Sequence, residues 1–317
     1  MMQPNTRTCT GVFVAPVCPM HDDQSIDEAG IESYLRWILS RTDVRGIVVN
    51  VNAGEGTCLE NEDRSLVITV ARRVVPRHVK LVAGVCGNST REMILQTQQA
   101  EAAGADAVIV VPVRDWQNSR APGHAEALYQ RLGKSTSLPL ILFNSVAAQF
   151  DTGTLVRILE TVPTVVAVKQ AVTDIGLYQD QYRAIRRARP DVSILSAYDA
   201  ALLPTLVIGV DGVLLGIAGF LPDIVIGMFN AARDGDYAKA RAFADQLAPM
   251  SHYLYGTAPR SLRHVRTKAA LKQLGIIASD MVREPLLPLD DAERCKLEKA
   301  MLSAGLIEPA SVLASAA

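Results

Sequence analysis

The chain has 317 residues, of which 49% are hydrophobic and 21% are charged, and its formal net charge is -1. This balance is typical of a globular protein with a large core, and it offers no general attraction to nucleic acid or to an anionic membrane. No apolar run reaches the roughly 20 residues of a membrane helix, and the N-terminal MMQPNTRTCT lacks the features of a signal peptide. We therefore expect a cytoplasmic protein with no nucleic-acid or membrane partner.

The cysteines and histidines are scattered along the chain. Five cysteines are an odd number without a CxxC pair, and five histidines show neither HExxH nor HxH spacing. Such usage is typical of reduced, mostly buried thiols and not of a disulfide framework or a zinc site. The sequence therefore predicts no metal site.

Short apolar runs alternate with longer amphipathic stretches up to residue 235. The runs are apolar without interruption, as expected for parallel strands buried on both faces. Each is followed by a stretch that carries the signals of a helix, such as residues 25–40 after the first run. The predicted strands cover residues 11–17, 46–51, 80–85, 105–113, 138–144, 164–169, 192–197 and 211–216.

Eight successive strand–helix units favour a (β/α)8 TIM barrel of the α/β class over a doubly wound sheet, which rarely has eight regular units. After Asp236 only helical patterns remain, within residues 237–254, 261–276 and 290–306. We therefore predict a barrel over residues 1–235 and a C-terminal helical region over residues 236–317. The charged residues of this region are expected to lie on solvated helix faces.

The sixth predicted strand ends in a lysine, within VPTVVAVKQAV at residues 162–172. A lysine at a strand end can simply meet water, and this is the alternative. In a barrel, however, side chains at the C-terminal ends of the strands face the active-site mouth. Desolvation there lowers the pKa of an ammonium group and makes the amine a nucleophile toward carbonyls. Lys169 is therefore the predicted catalytic residue.

Two further strand ends carry suggestive residues. The tight turn VNAGEG (51–56) could direct backbone N–H groups at a small anion; the alternative is a plain turn in which Gly54 supplies a positive φ. The small residues of SAYDA (196–200) would leave room near the lysine. The alternative there is a helix start capped by Ser196 or Asp199.

Several motifs together resemble one known family: GVFVAPVCP, NVNAGEG, a strand ending at Pro112, LPLILFN, AVKQA and DGVLLGIAGF. In order and spacing they are similar to the dihydrodipicolinate synthase / N-acetylneuraminate lyase family, from about Gly11 to about Ile307. The resemblance implies a homo-oligomeric barrel, typically a tetramer. It also implies a class I aldolase-type lyase that forms a lysine Schiff base with pyruvate or a related 2-oxo acid. No metal, flavin or nucleotide cofactor is implied.

The resemblance assigns roles to individual positions. The family's Schiff-base lysine falls on Lys169, and its Gly-Thr-Thr-Gly-Glu turn falls on residues 51–55. Asn52 and Ala53 replace the two threonines, so the hydroxyl groups are missing, but the backbone N–H groups of Ala53 and Gly54 could still bind a carboxylate. Leu214, in the DGVLLGIAGF motif, is expected to contact the substrate as well.

Other positions depart from the family pattern. The tyrosine at the end of the fifth strand is Phe143, and a phenyl ring cannot pass protons as a phenol does. The second relay tyrosine is replaced by Val113 or Arg114, and the arginine that binds aspartate semialdehyde falls near Ala148. These losses argue against the lysine-biosynthetic synthase.

Other side chains could take over the lost functions. Tyr198, in the loop after the seventh strand, is a candidate proton donor, and Arg114 could bind an acidic substrate. Asp115, Trp116 and His21 are weaker candidates for the outer pocket. Ordinary loop residues that face water are the alternative for each of them.

We expect a Schiff-base lyase or aldolase acting on pyruvate or a related 2-oxo acid, other than the lysine-biosynthetic synthase. Two alternatives stay open at this point. The first is a dehydratase or deaminase of a 2-oxo sugar acid or a hydroxyproline-derived substrate on the same site. The second is a barrel that binds a 2-oxo acid without catalysis.

Overall fold

The computed structural model describes residues 7–111, 123–146 and 149–308 of the chain. Within these ranges, eight parallel strands pair in sequence order, and the eighth strand closes on the first. Helices alternate with the strands around the outside. The predicted (β/α)8 barrel is therefore confirmed, and helices follow it toward the C-terminus as predicted.

The strands are short, and most of the helices are longer. The strands run Gly11–Val14 (β1), Val44–Val49 (β2), Lys80–Val85 (β3), Ala107–Val110 (β4), Leu140–Asn144 (β5), Val165–Gln170 (β6), Ser193–Ser196 (β7) and Gly212–Leu215 (β8). The helices of the barrel run Glu28–Leu39 (α1), Asn61–Val74 (α2), Thr90–Ala102 (α3), His124–Gly133 (α4), Thr152–Thr161 (α5), Ile175–Ala188 (α6), Leu202–Ile208 (α7) and Pro222–Arg233 (α8). Three more helices follow, Tyr237–Ser251 (α9), Arg263–Gln273 (α10) and Asp291–Ser303 (α11).

Several predicted strands are longer than the observed ones. Ala15 and Val17 remain buried, for example, although β1 ends at Val14. A strand ends where its ladder of hydrogen bonds ends, whereas burial continues wherever the following loop packs on the barrel. An apolar run therefore marks burial better than it marks the strand. β6 differs in the other direction, because it continues one residue beyond Lys169 to Gln170.

One inward-facing residue from each strand fills the centre of the barrel: Phe13, Val48, Val82, Ile109, Ile141, Ala167, Leu195 and Leu214. Because side chains alternate along a strand, the next inward position lies two residues further on. On β5 and β6 this position holds Phe143 and Lys169. On β7, β8 and β1, or just beyond their ends, it holds the small residues Ala197, Gly216 and Ala15. These small side chains leave space beside the lysine.

The C-terminal helices are packed closely against the barrel rather than merely attached to it. Arg266 and Lys268 of α10 are fully buried, so the expectation that the charges of this region lie on solvated faces is wrong for them. Each has a buried anionic partner, Glu293 for Arg266 and Glu55 for Lys268, and pairing of this kind is what makes a buried charge tolerable. The boundary between residues 235 and 236 stays a prediction. In the described parts of the chain, no helix combines the length and the apolar character needed to cross a membrane.

Candidate active site

A cavity of about 320 Å³ opens at the C-terminal ends of the strands, directly above the filled centre of the barrel. Its inner wall includes Phe143 and Lys169 together with the three small residues Ala15, Ala197 and Gly216. The turn after β2, the loop after β7 and the segment before and at the start of α10 complete the lining. The cavity therefore lies where the substrates of TIM barrels bind.

Lys169 is held in place by the ends of β5 and β6. Phe143 pairs with Lys169 in the ladder, and Asn144 pairs with Gln170. Since successive side chains alternate, Lys169 faces inward while Gln170 faces the surrounding helices. There Asn144 Nδ2 donates to Gln170 Oε1 (3.0 Å), and both residues donate to Gln181 Oε1 of α6. This buried amide network fixes the strand ends and thereby aims the lysine into the cavity.

The environment of Lys169 favours the neutral amine. Its Nζ lies 4.2 Å from the centre of the Phe143 ring. Burial lowers the pKa of Lys169 from 10.5 to about 8; the nearby Asp199 carboxylate opposes this shift, and the Arg263 guanidinium adds to it. Desolvation is thus the main cause, and the amine loses its proton at a lower pH than an exposed lysine does.

The turn after β2 is shaped by two left-handed residues. Asn50 and Glu55 have φ of 58° and 55°, whereas Gly54 does not adopt a positive φ, contrary to the alternative considered from the sequence. Glu55 is buried; its Oε2 accepts from the Arg283 N–H (2.7 Å), and its Oε1 lies 2.5 Å from Lys268 Nζ. Glu55 therefore links the turn to the C-terminal region.

Two of the three predicted turn residues line the cavity. Asn52 and Ala53 belong to a short 3-10 helix at the mouth, and both are in its wall. Gly54 is buried behind them, where a Cβ would lie 3.3 Å from the Pro16 carbonyl oxygen, and it is not part of the wall. The turn can therefore present Asn52 and Ala53 to a ligand.

The loop after β7 brings a carboxylate into the wall. Asp199 accepts a hydrogen bond from the Ile217 N–H (3.1 Å). Burial raises the pKa of Asp199, against the opposing effects of that N–H group and of Lys169. Ser196 bonds Thr205 inside the fold (2.6 Å), and no side chain caps α7, so neither residue is the helix cap considered from the sequence. Tyr198, a predicted site residue, does line the cavity.

Sequence reasoning missed the contribution of the C-terminal region. Tyr255, Arg260, Arg263 and His264 all line the cavity. A Cβ at Gly216 would lie only 2.5 Å from the Tyr255 hydroxyl, so the glycine at the end of β8 makes room for this phenol. The available signal was the density of basic residues in RSLRHVRTK (260–268), which is high for a region read as an outer helical appendage.

The Tyr255 hydroxyl lies in the electrostatic environment of Asp199. Burial raises the pKa of Tyr255 well above its ordinary value, and the negative charge of Asp199 adds to this shift. The neighbouring His264 has a pKa well below its usual range because of burial and the adjacent Arg263. A neutral His264 is consistent with the geometry, since its Nε2 accepts from Arg263 Nε (3.0 Å).

Three further predictions have different outcomes. Arg114 lies outside the described residues, as do Val113, Asp115, Trp116 and Ala148. Leu214 is fully buried in the central layer and does not line the cavity, so the structure does not support its expected contact with substrate. The reason is the alternation along β8, which places the cavity at Gly216 instead. His21 is exposed, lies 3.8 Å from Asp27 and does not line the cavity.

The fold and the desolvated lysine at the barrel mouth define an enzyme of the class I aldolase type. A sequence model of the dihydrodipicolinate synthetase family matches residues 8–304, and the chain belongs to this family. The protein is accordingly a lyase, and its family consists of pyruvate-dependent, aldolase-type enzymes that act on small molecules.

Similar proteins cover nearly the whole chain. The 4-hydroxy-tetrahydrodipicolinate synthase of Maridesulfovibrio salexigens is 30% identical over 304 residues, which are 95% of this chain and 100% of that protein. The protein of the same name from Thiobacillus denitrificans is 32% identical over 305 residues, covering 95% and 98%.

Solved structures agree with the fold. The 4-hydroxy-tetrahydrodipicolinate synthase of Methylacidiphilum fumariolicum superimposes with a TM-score of 0.83 at 25% identity, covering 94% of this chain and 96% of that one. YagE, a prophage protein of E. coli K12 solved in complex with pyruvate, gives a TM-score of 0.86 at 24% identity, with coverage of 94% and 99%.

Proposed function

We propose that the protein is a Schiff-base lyase for pyruvate or a related 2-oxo acid and that it is not the lysine-biosynthetic synthase for which its relatives are named. The observation that carries this proposal is the pair formed by Lys169 and Phe143. The lysine is desolvated and nucleophilic, but the aromatic ring against its amine is a phenyl ring and not a phenol. The family chemistry begins at this lysine, while the proton route expected of the synthase is missing.

The first step needs a neutral amine. With a pKa of about 8, roughly a tenth of Lys169 is deprotonated at pH 7. The lone pair attacks the keto carbon, and the carbonyl oxygen takes up a proton to give a carbinolamine. Loss of water then forms an iminium ion. The iminium nitrogen accepts the electron pair of a bond broken at the adjacent carbon, so the same adduct can serve carbon–carbon cleavage, its reverse, or loss of a leaving group.

A different group must move protons in this cavity. Tyr255 supplies a phenol in the cavity wall, and Asp199 links it electrostatically to Lys169. General acid–base assistance requires a donor that can reach the reacting atoms. These contacts support a proton route through Tyr255 and Asp199, with Tyr198 as a further donor from the loop after β7.

The carboxylate of the 2-oxo acid is proposed to bind at the turn after β2. Asn52 and Ala53 face the cavity from a 3-10 helix, whose backbone N–H groups suit an anion. The buried pair of Glu55 and Lys268 keeps this turn in place from behind. The turn therefore supplies an anion-binding wall without the two hydroxyl groups of the family pattern.

Borohydride trapping tests the proposal. Incubation with pyruvate and borohydride should add one reduced pyruvyl group, which peptide mapping should place on Lys169. Lys169→Ala should abolish the label, whereas Lys299→Ala, on the exposed face of α11, should keep it. Labelling at another lysine would overturn the mechanism. Turnover of the trapped 2-oxo acid, as opposed to adduct formation alone, separates a lyase from a barrel that only binds.

Assembly and location remain proposals. We expect a dimer or a tetramer in the cytoplasm, on the basis of the family resemblance. Light scattering at micromolar concentration tests the assembly, and a monomer would contradict it.

A further inference from the structure

The part of the cavity formed by the C-terminal region is basic. Arg263, at the start of α10, lines the wall together with Arg260 of the preceding 3-10 turn. With Lys169, the described lining contains two arginines and one lysine, whereas burial keeps His264 neutral, and Asp199 is the single carboxylate of this lining. The cavity therefore favours a ligand that carries more negative charge than the single carboxylate of pyruvate.

Arg263 is oriented without being neutralised by a direct partner. Its Nε donates to His264 Nε2 (3.0 Å), and its Nη1 donates to the carbonyl oxygen of Arg260 (3.2 Å). Both acceptors are uncharged, since burial keeps the pKa of His264 well below its usual range. Among the described ion pairs within 4.0 Å, none involves Arg263. A part-buried guanidinium that is held by neutral acceptors retains its charge for a ligand.

We propose that Arg263, with Arg260 at the rim, binds a second carboxylate at the far end of the substrate, so that the preferred substrates are 2-oxo dicarboxylic acids. This inference rests on the proposed function, because the 2-oxo end is held by Lys169 and by the turn at Asn52 and Ala53. A cavity of about 320 Å³ exceeds what a three-carbon acid fills. The strand ends form one wall of the cavity and the C-terminal region forms another. This arrangement suits a substrate that has a carboxylate at each end.

A rival role for Arg263 is to balance the charge of Asp199, whose pKa it influences. The two roles differ in what they predict. An arginine that only positions Asp199 would affect every 2-oxo acid to the same degree. An arginine that binds the distal carboxylate affects the acids that have one more strongly than the acids that lack one.

Matched pairs of acids test the proposal. The half-saturation concentration for the borohydride-trapped adduct at Lys169 is measured by intact mass for 2-oxopentanedioate against 2-oxopentanoate. The same is done for 2-oxohexanedioate against 2-oxohexanoate. A charge-assisted contact should favour the diacid by about 10- to 100-fold. In Arg263→Gln this preference for the diacid should fall to about threefold or less, because the effect of Arg263 on the pKa of Lys169 acts on the diacid and the monoacid alike and cancels in their ratio.

Two variants serve as controls. Arg263→Lys should keep part of the preference, because an ammonium retains the charge but lacks the planar fork. Arg241→Gln, at an exposed position of α9, should keep all of it. Equal trapping of the diacid and the monoacid by the unmodified protein would overturn the proposal, and so would an equal loss for both in Arg263→Gln.

A second measurement does not depend on the Schiff base. Pentanedioate has no keto group, yet it should raise the melting temperature of the protein more than pentanoate does, and Arg263→Gln should remove the difference. If no 2-oxo acid is trapped but this difference is present, the anion site stands and the Schiff-base function fails. If trapping occurs without any such dicarboxylate effect, the function stands and the anion site is refuted.

Discussion

Replacing Lys169 by methionine should make the protein more stable at pH 7 while abolishing its adduct with pyruvate. Methionine keeps a long apolar side chain beside Phe143 and removes the ammonium group that burial disfavours. The cost of keeping that charge follows from the pKa. A fall from 10.5 to about 8, at about 1.4 kcal/mol per pKa unit, corresponds to about 3 kcal/mol. We expect Lys169→Met to raise the free energy of unfolding at pH 7 by most of this amount.

The pH dependence of the gain follows from the direction of the shift. Below about pH 8 the lysine is protonated in both the native and the unfolded state, so the full cost is present. Between about pH 8 and 10.5 the unfolded chain still binds the proton that the native protein has lost, and the native protein therefore gains stability as the pH rises. The advantage of Lys169→Met should accordingly shrink across this range.

Urea titrations of the two proteins at pH 7, 8.5 and 10 measure the effect as a difference in the free energy of unfolding. Lys299→Met, in which an exposed lysine of α11 is changed in the same way, should show no comparable gain at any pH. A Lys169→Met protein that is less stable than the unmodified one at pH 7 would refute the reasoning. A gain that persists undiminished at pH 10 would do the same.

The initial rate of pyruvate trapping at Lys169 should rise with pH through about 8, because the neutral amine is the nucleophile; a flat profile between pH 6 and 9 would contradict the lowered pKa. The unmodified protein should condense pyruvate with aspartate semialdehyde very weakly, and Phe143→Tyr alone should restore little, because the new phenol would lack its relay partners; robust synthase turnover by the unmodified protein would contradict the proposed function. Tyr255→Phe should slow the exchange of the pyruvate methyl protons with D2O by about 10²- to 10⁴-fold, while the trapped adduct still forms. NMR follows this exchange, and an unchanged exchange rate would exclude the proton route through this phenol. Glu55→Gln should lower the free energy of unfolding by about 3–5 kcal/mol, because it leaves the buried Lys268 ammonium without its carboxylate. The double variant Glu55→Leu/Lys268→Met should lose less stability in urea titrations than Glu55→Gln does. An equal loss of stability in the two variants would argue against a stabilising ion pair.

Some features of the site could be predicted because the patterns that carry them are local. Parallel strands buried on both faces leave continuous apolar runs, and eight such runs in alternation with helical periodicity sufficed to predict the barrel. The position of Lys169 at the end of one run predicted that its side chain would face the mouth, and the structure places it there. The absence of a phenol at position 143 was likewise visible in the sequence.

Other features depend on contacts between residues that are far apart in the chain. Leu214 and Gly216 differ by two positions on one strand, and only the closed barrel shows that the first fills its centre while the second borders the cavity. The left-handed residues of the turn after β2 are Asn50 and Glu55 rather than Gly54. Glu55 also contacts Lys268 and the Arg283 N–H group, which lie far away along the chain. No sequence spacing encodes such a pairing.

The sequence by itself therefore determined the barrel, the lysine at the end of the sixth strand and the absence of a phenol at position 143, since each follows from patterns within single strand–helix units and from their order. Only the tertiary structure decided what surrounds this lysine. Tyr255 and Arg263 share a cavity with Lys169 because the C-terminal helices pack across the mouth of the barrel, although more than 80 residues separate them along the chain. The periodicity of hydrophobic residues indicates which face of a helix or strand is buried, but the packing of the whole chain determines which element contacts that face.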